Sequence, residues 1–215
     1  MNEKMAISTK CLTQPGMFFA GKSLTVIHSH EVDPVKIVYP ENIKKLVFRD
    51  RSLVPPRGTL IFPETITDLE LDVNYDLSCV IFPPRLEKLK LGHYFNQSIE
   101  DLDLPETLKE LTLGHRFNCQ IRNLNLPQGL THLTFGDKFN QDVINAQFPE
   151  SLTHLSFGLN FNRSLHNANL PQGLTHLVLG RGYSLPLAGA NLPRSLIVIS
   201  ISPSVVNDRV AGCNP

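Results

Sequence analysis

Three histidines, His132, His154 and His176, recur at intervals of 22 residues, each inside a Leu-Thr-His-Leu run. Imidazoles can ligate a metal, move a proton or respond to pH. If each interval contributes one short strand, the three rings stack one per strand, about 4.8 Å apart. Such a row offers one ion at most two neighbours, whereas zinc takes three or four convergent ligands. Glu110 extends the row without converging on it. The reading is therefore no metal and no cofactor. His93 and His115 each follow a glycine that ends a strand pattern, and they read as solvated turn residues. The cysteines, Cys11, Cys79, Cys119 and Cys213, are far apart and form no CxxC. That usage fits reduced thiols in an intracellular, cytoplasmic protein. No base stands beside Cys119, so a catalytic thiol has no support. Serines and histidines are spread by the period rather than gathered, and neither GxGxxG nor GxxxxGK[ST] occurs. A non-enzyme is expected.

The elements that position these residues are set by one repeated unit. Pro105 to Leu126 reads PETLKELTLGHRFNCQIRNLNL, and near-copies start at Pro127, Pro149 and Pro171, with an upstream copy from Pro84. Prolines 40, 63, 83, 105, 127, 149, 171 and 193 anchor the series. Counting from each proline, positions three, six and eight are apolar in every copy, as in Leu108, Leu111 and Leu113. Six-then-eight is the period of a short strand with one buried face. Glycine follows at Gly92, Gly114, Gly136, Gly158 and Gly180, where it can take positive φ and turn the chain out of the strand. The spacing predicts a β-rich repeat solenoid of about nine coils, one parallel sheet and little helix.

Phe95-Asn96, Phe117-Asn118, Phe139-Asn140 and Phe161-Asn162 come next in each unit, with Tyr75-Asp76 and Tyr183-Ser184 as eroded copies. The aromatics read as an internal spine and the asparagines as a ladder that bonds turn backbone. The return segments alternate again and read as extended and buried on one side. Leu24 and Val26 align with Leu111 and Leu113, so a degenerate coil begins near Phe18.

Net charge is zero and the pI about 7.1, which gives no electrostatic footprint for nucleic acid or an anionic membrane. No apolar run approaches the roughly 20 residues that cross a bilayer, and the N-terminus lacks the order of a signal peptide. The chain divides into a lead or cap at 1–17, a solenoid at 18–202 and a tail or cap at 203–215. In the last strand Leu196, Ile199 and Ile201 hold core positions, while Ile197 and Val198 point outward. An apolar end of this kind needs a cover. The candidates are the tail, with Val205, Val206 and Val210, or a second copy in an end-to-end homodimer.

LxxLxL at the head of each unit is similar to the leucine-rich repeat pattern. The fuller unit LPxxLxxLxLGxxFNxxI resembles the FNIP repeat family, known from social amoebae and from giant viruses of amoebae. The resemblance spans roughly Pro40 to Ser202. It implies a leucine-rich-repeat-like solenoid used for protein binding. Some members carry an F-box; residues 1–39 do not look like one.

On a strand, positions five and seven face away from the core. That strip contains Asp68, Glu70, Lys88, Lys90, Glu110, Thr112, His132, Thr134, His154, Ser156 and His176, and it is the expected docking face for an unidentified protein partner. Two other functions fit the same residues. One is an architectural protein that self-associates through a solenoid end. The other is a weak metal- or pH-responsive binder built on the histidines.

Overall fold

The computed structural model describes residues 17–27, 39–50, 55–56, 58–122, 124–144 and 146–202. The sequence expectations for 1–16 and 203–215, including the C-terminal tail, lie outside these residues.

From Pro63 onward a proline opens each coil. Its carbonyl accepts a hydrogen bond from the residue three positions on: Leu108 to Pro105 at 2.9 Å, and Leu130 to Pro127, Leu152 to Pro149 and Leu174 to Pro171 at 3.0 Å. The fixed proline φ suits that tight turn. The described strands are two to five residues long. In order these are β1 (Met17–Ala20), β2 (Ser23–Ile27), β3 (Lys45–Arg49), β4 (Leu60–Ile61), β5 (Asp68–Asp72), β6 (Val80–Ile81), β7 (Lys88–Leu91), β8 (Glu110–Thr112), β9 (His132–Thr134), β10 (His154–Ser156), β11 (His176–Gly180) and β12 (Val198–Ser202).

One ten-stranded sheet runs β1-β2-β3-β5-β7-β8-β9-β10-β11-β12. β1 pairs antiparallel with β2, and the remaining strands are all parallel. Register is strict: Leu111 faces Leu133, Leu133 faces Leu155 and Leu155 faces Leu177. Position six is at most 2% exposed from Leu46 through Leu177. The apolar six-eight alternation thus sets the register, because a one-residue slip would turn every leucine to water. The degenerate first coil is present, with Leu24 and Val26 buried in β2. β1 supplies the edge strand on that side, and its first residue, Met17, lies just ahead of the expected solenoid boundary.

The return segments alternate in burial, as at Leu124, exposed Asn125 and Leu126. Among the described residues they form ladder pairs only at β4–β6, a two-stranded parallel sheet. The one helical piece described is a 3-10 turn at Leu77–Cys79, whose start is capped by Asp76 accepting from the Ser78 N–H at 2.7 Å.

The aromatic column stacks coil on coil. Phe95, Phe117, Phe139, Phe161 and Tyr183 follow at centroid spacings of 6.4, 6.1, 6.1 and 6.0 Å, close to parallel. Phe135 and Phe157, at position eight, insert a second column against it at 4.1 and 3.9 Å.

Two expectations are corrected. The five post-strand glycines do not take positive φ; among described glycines only Gly21, Gly58 and Gly189 do. Their reason is close approach. A Cβ on Gly114 would fall on the carbonyl of Gly92, one on Gly136 on that of Gly114, and so on through Gly158 and Gly180. In the last coil, Ile199 is 45% exposed although its strand neighbour Leu177 is fully buried, and Leu196 is only half-buried. Ile199 has one neighbouring strand among the described residues.

Gly136→Ala should therefore destabilise the chain by about 3 kcal/mol or more, because a backbone carbonyl cannot step aside as a side chain can. Gly129→Ala, whose Cβ would meet the Glu106 carbonyl at 3.3 Å, should cost far less. Urea denaturation of the two variants checks this, and equal losses would contradict it.

Candidate functional site

The exposed rows of the sheet are built by the same register as its core. At position five, Lys45 bonds Asp68 at 3.0 Å and Lys88 bonds Glu110 at 2.7 Å. At position seven, Lys90 bonds Glu70 at 3.4 Å. Lys109 meets Glu87 at 3.5 Å along position four. Opposite charges thus neutralise one another across adjacent strands. Hydrogen bonding to Glu110 raises the Lys88 ammonium above its ordinary value. Each such surface pair contributes at most about 1 kcal/mol.

From β9 the charges give way to imidazoles. His132, His154 and His176 stack at 4.1 and 4.2 Å with interplanar angles of 13° and 7°. Each Nδ1 lies 2.9 Å from the hydroxyl of the preceding threonine: Thr131, Thr153 or Thr175. Those hydroxyls in turn donate to main-chain carbonyls one coil back. Position seven carries Thr112 beside Glu110, then Thr134, Ser156 and Val178 beside the histidines. Parallel rings do not converge on a point, and no group of three or more potential metal ligands gathers among the described residues. Burial, then the two flanking imidazoles, hold His154 below its ordinary value of 6.5.

The asparagines form a directional ladder. The side-chain carbonyl of Asn96 accepts from the main-chain N–H of Asn118 at 2.8 Å; Asn118 accepts from Asn140 at 2.9 Å, Asn140 from Asn162 at 3.0 Å, and Asn162 from Ser184 at 3.1 Å. These bonds satisfy turn amides outside the sheet ladder.

The turn histidines are not simply solvated. His93 and His115 stack at 4.5 Å, and His115 Nδ1 lies 2.9 Å from buried Asp137. Arg116 covers the Tyr94 ring at 4.8 Å. The described cysteines, Cys79 and Cys119, are free, and burial pushes both thiols up, away from the reactive thiolate. No described helix is long and apolar enough to cross a membrane.

A family model described as "FNIP Repeat" matches residues 95–138, 117–160 and 161–204, together just over half of the chain. The chain belongs to the FNIP repeat family. Among solved structures, this FNIP chain is similar to a giant-virus protein titled "The crystal structure of CroV588 a novel circular LRR protein structure", at 34% identity and a TM-score of 0.69. The likeness covers 79% of this chain and 25% of that one, so the FNIP chain spans about a quarter of that neighbour's length. No curated protein matches. The repeat, leucine-rich-repeat-like fold is of a kind that commonly serves as a non-enzymatic interaction scaffold.

Sequence reasoning missed the threonine partners, although Leu-Thr-His-Leu repeats them visibly. It also missed the contact of His115 with Asp137, whose only signal was that both occupy position ten of successive coils.

A histidine with a lowered folded pKa charges more readily once unfolded. Stability should therefore fall as pH drops through about 6.5 and level off below the folded value. Replacing His132, His154 and His176 by Gln should flatten that dependence in urea midpoints taken across pH. An unchanged profile would reject repulsion within the ladder.

Proposed function

We propose that this solenoid is a non-catalytic protein-interaction scaffold that docks a partner on the exposed face of its parallel sheet. The observation that carries the reading is where the coils differ from one another. Inward rows repeat leucine, glycine and phenylalanine almost unchanged, because stacking demands it. At position five the outward row reads Lys45, Asp68, Lys88, Glu110, His132, His154, His176 and Val198. Chemical variety on an otherwise uniform scaffold is what partner choice requires. The free, weakly reactive thiols agree with action inside a cell, in the cytoplasm. No nucleic acid or membrane partner is part of this reading.

A second reading, self-association through the C-terminal end, draws on Ile197 and Ile199, which are 77% and 45% exposed beside the β12 edge.

Capture from an amoebal lysate on the immobilised chain, with bound proteins identified by mass spectrometry, tests the first reading. Ser156→Lys and Thr134→Lys should deplete the captured partner. Arg122→Glu, exposed and away from the sheet, should not. Identical capture by all variants would contradict docking on the sheet face.

A further inference from the structure

The turns that follow the strands carry a second exposed row, at position eleven. It reads Asn74, Tyr94, Arg116, Lys138 and Asn160. Main-chain bonds hold its rungs one coil apart: the Arg116 N–H donates to the His93 carbonyl at 3.0 Å, and the Lys138 N–H to that of His115 at 2.9 Å. Two exposed cations therefore occupy one position of adjacent coils. On the sheet the chain does the opposite, setting Lys45, Lys88 and Lys90 against carboxylates. Among the described residues neither Arg116 nor Lys138 has an ion pair. The side chain of Asp137, next to Lys138 in sequence, is 8% exposed and is engaged by His115 and by the Leu159 N–H, at 2.9 and 3.4 Å. Like charges held at one spacing repel, and an anion bound between them removes that cost.

The row is also arranged in advance. Arg116 lies over the Tyr94 ring, 4.8 Å from its centroid. Tyr94 meets His93 edge-on at 4.7 Å, His93 stacks on His115 at 4.5 Å, and His115 is tied to Asp137. Each side chain is held by the next, from an exposed end to a buried one. Tyr94 is nonetheless 52% exposed. An arginine resting on an aromatic ring keeps its planar N–H fork for a carboxylate. Ordering of this kind lowers the entropy lost on binding, and tyrosine and arginine are among the residues that most often anchor interfaces.

We infer that this turn edge is a second docking surface, separate from the sheet face, and that it takes an acidic peptide segment whose carboxylates bind Arg116 and Lys138. It goes beyond the sheet-face reading and does not depend on it. Two cations are too few to hold a nucleic-acid backbone, which is gripped through many phosphates. Arg116 offers the bidentate contact, Lys138 a point charge one coil further on. Tyr94 supplies the ring that fixes Arg116 and packs against the bound segment.

Fluorescence anisotropy of labelled hexaglutamate with the full chain tests this. Hexaglutamate should bind in about 50 mM salt and roughly tenfold or more weakly in about 500 mM, since exposed charges are screened. Arg116→Gln and Lys138→Gln should each weaken binding. Arg116→Lys should recover only part of the loss, because the charge returns without the fork. Tyr94→Leu should weaken binding with every charge in place, and Tyr94→Phe, which keeps the ring, should not. Lys88→Gln, on the sheet face, should change nothing. Absence of hexaglutamate binding, binding that ignores Arg116→Gln and Lys138→Gln, an equal loss in Lys88→Gln, equal binding of hexalysine, or tighter binding of hexathymidylate would each overturn the assignment. If lysate capture depends on Ser156 and Thr134 while hexaglutamate fails, the sheet-face reading survives and this surface does not. If hexaglutamate binding depends on Arg116 while capture ignores Ser156→Lys and Thr134→Lys, the reverse holds.

Discussion

Everything in this structure depends on coils stacking in register at the spacing of one strand. A single coil exposes its leucines and leaves its turn amides without partners, so it has no stable form alone. Stacking answers both needs at once. It also imposes identity: whatever residue occupies a position meets the same position in the next coil. Leucine meets leucine, phenylalanine meets phenylalanine, and glycine is required where two backbones nearly touch. The constraint extends to the surface, where lysine faces aspartate or glutamate, and histidine faces histidine.

Ladders carry different energies according to what they stack. Apolar rows gain by burial and by the offset stacking of rings. Rows of polar side chains gain only when each has a donor and an acceptor to offer its neighbours, as asparagine does. Rows of like charge lose. The chain avoids that loss by alternating sign from Lys45 to Glu110 and by using histidine thereafter, a residue type whose free side chain is ordinarily neutral above about pH 6.5. The threonine before each histidine completes the arrangement, its hydroxyl within hydrogen-bond distance of both the ring Nδ1 and a main-chain carbonyl one coil back.

Much of the fold was legible because periodicity is a one-dimensional signal of a one-dimensional architecture. The Pro-x-x-Leu-x-x-Leu-x-Leu spacing located the strands and their inward faces, and Phe-Asn marked a second recurring row. What the period could not convey was the reason for a residue. Gly114 and Gly136 looked like positive-φ residues, since sequence reports the missing Cβ but not the carbonyl that would strike it. His115 looked like a turn residue because its partner, Asp137, breaks the pattern of its row. Ile199 looked buried because the period promises a neighbour on both sides, while only one lies among the described residues. The outward strip was legible as a surface; the threonine hydroxyls that hold its rings were not, since they depend on the positions of side chains.

The most direct test of in-register stacking uses the directionality of the asparagine ladder, followed by amide hydrogen exchange. Each asparagine side chain protects the main-chain N–H of the next coil and not its own. Asn118→Ala should therefore speed exchange at the amide of residue 140 while the amide of residue 118, still bonded to Asn96, stays protected. If residue 118 loses protection instead, or if neither amide changes, the coils are not stacked in the order and register described.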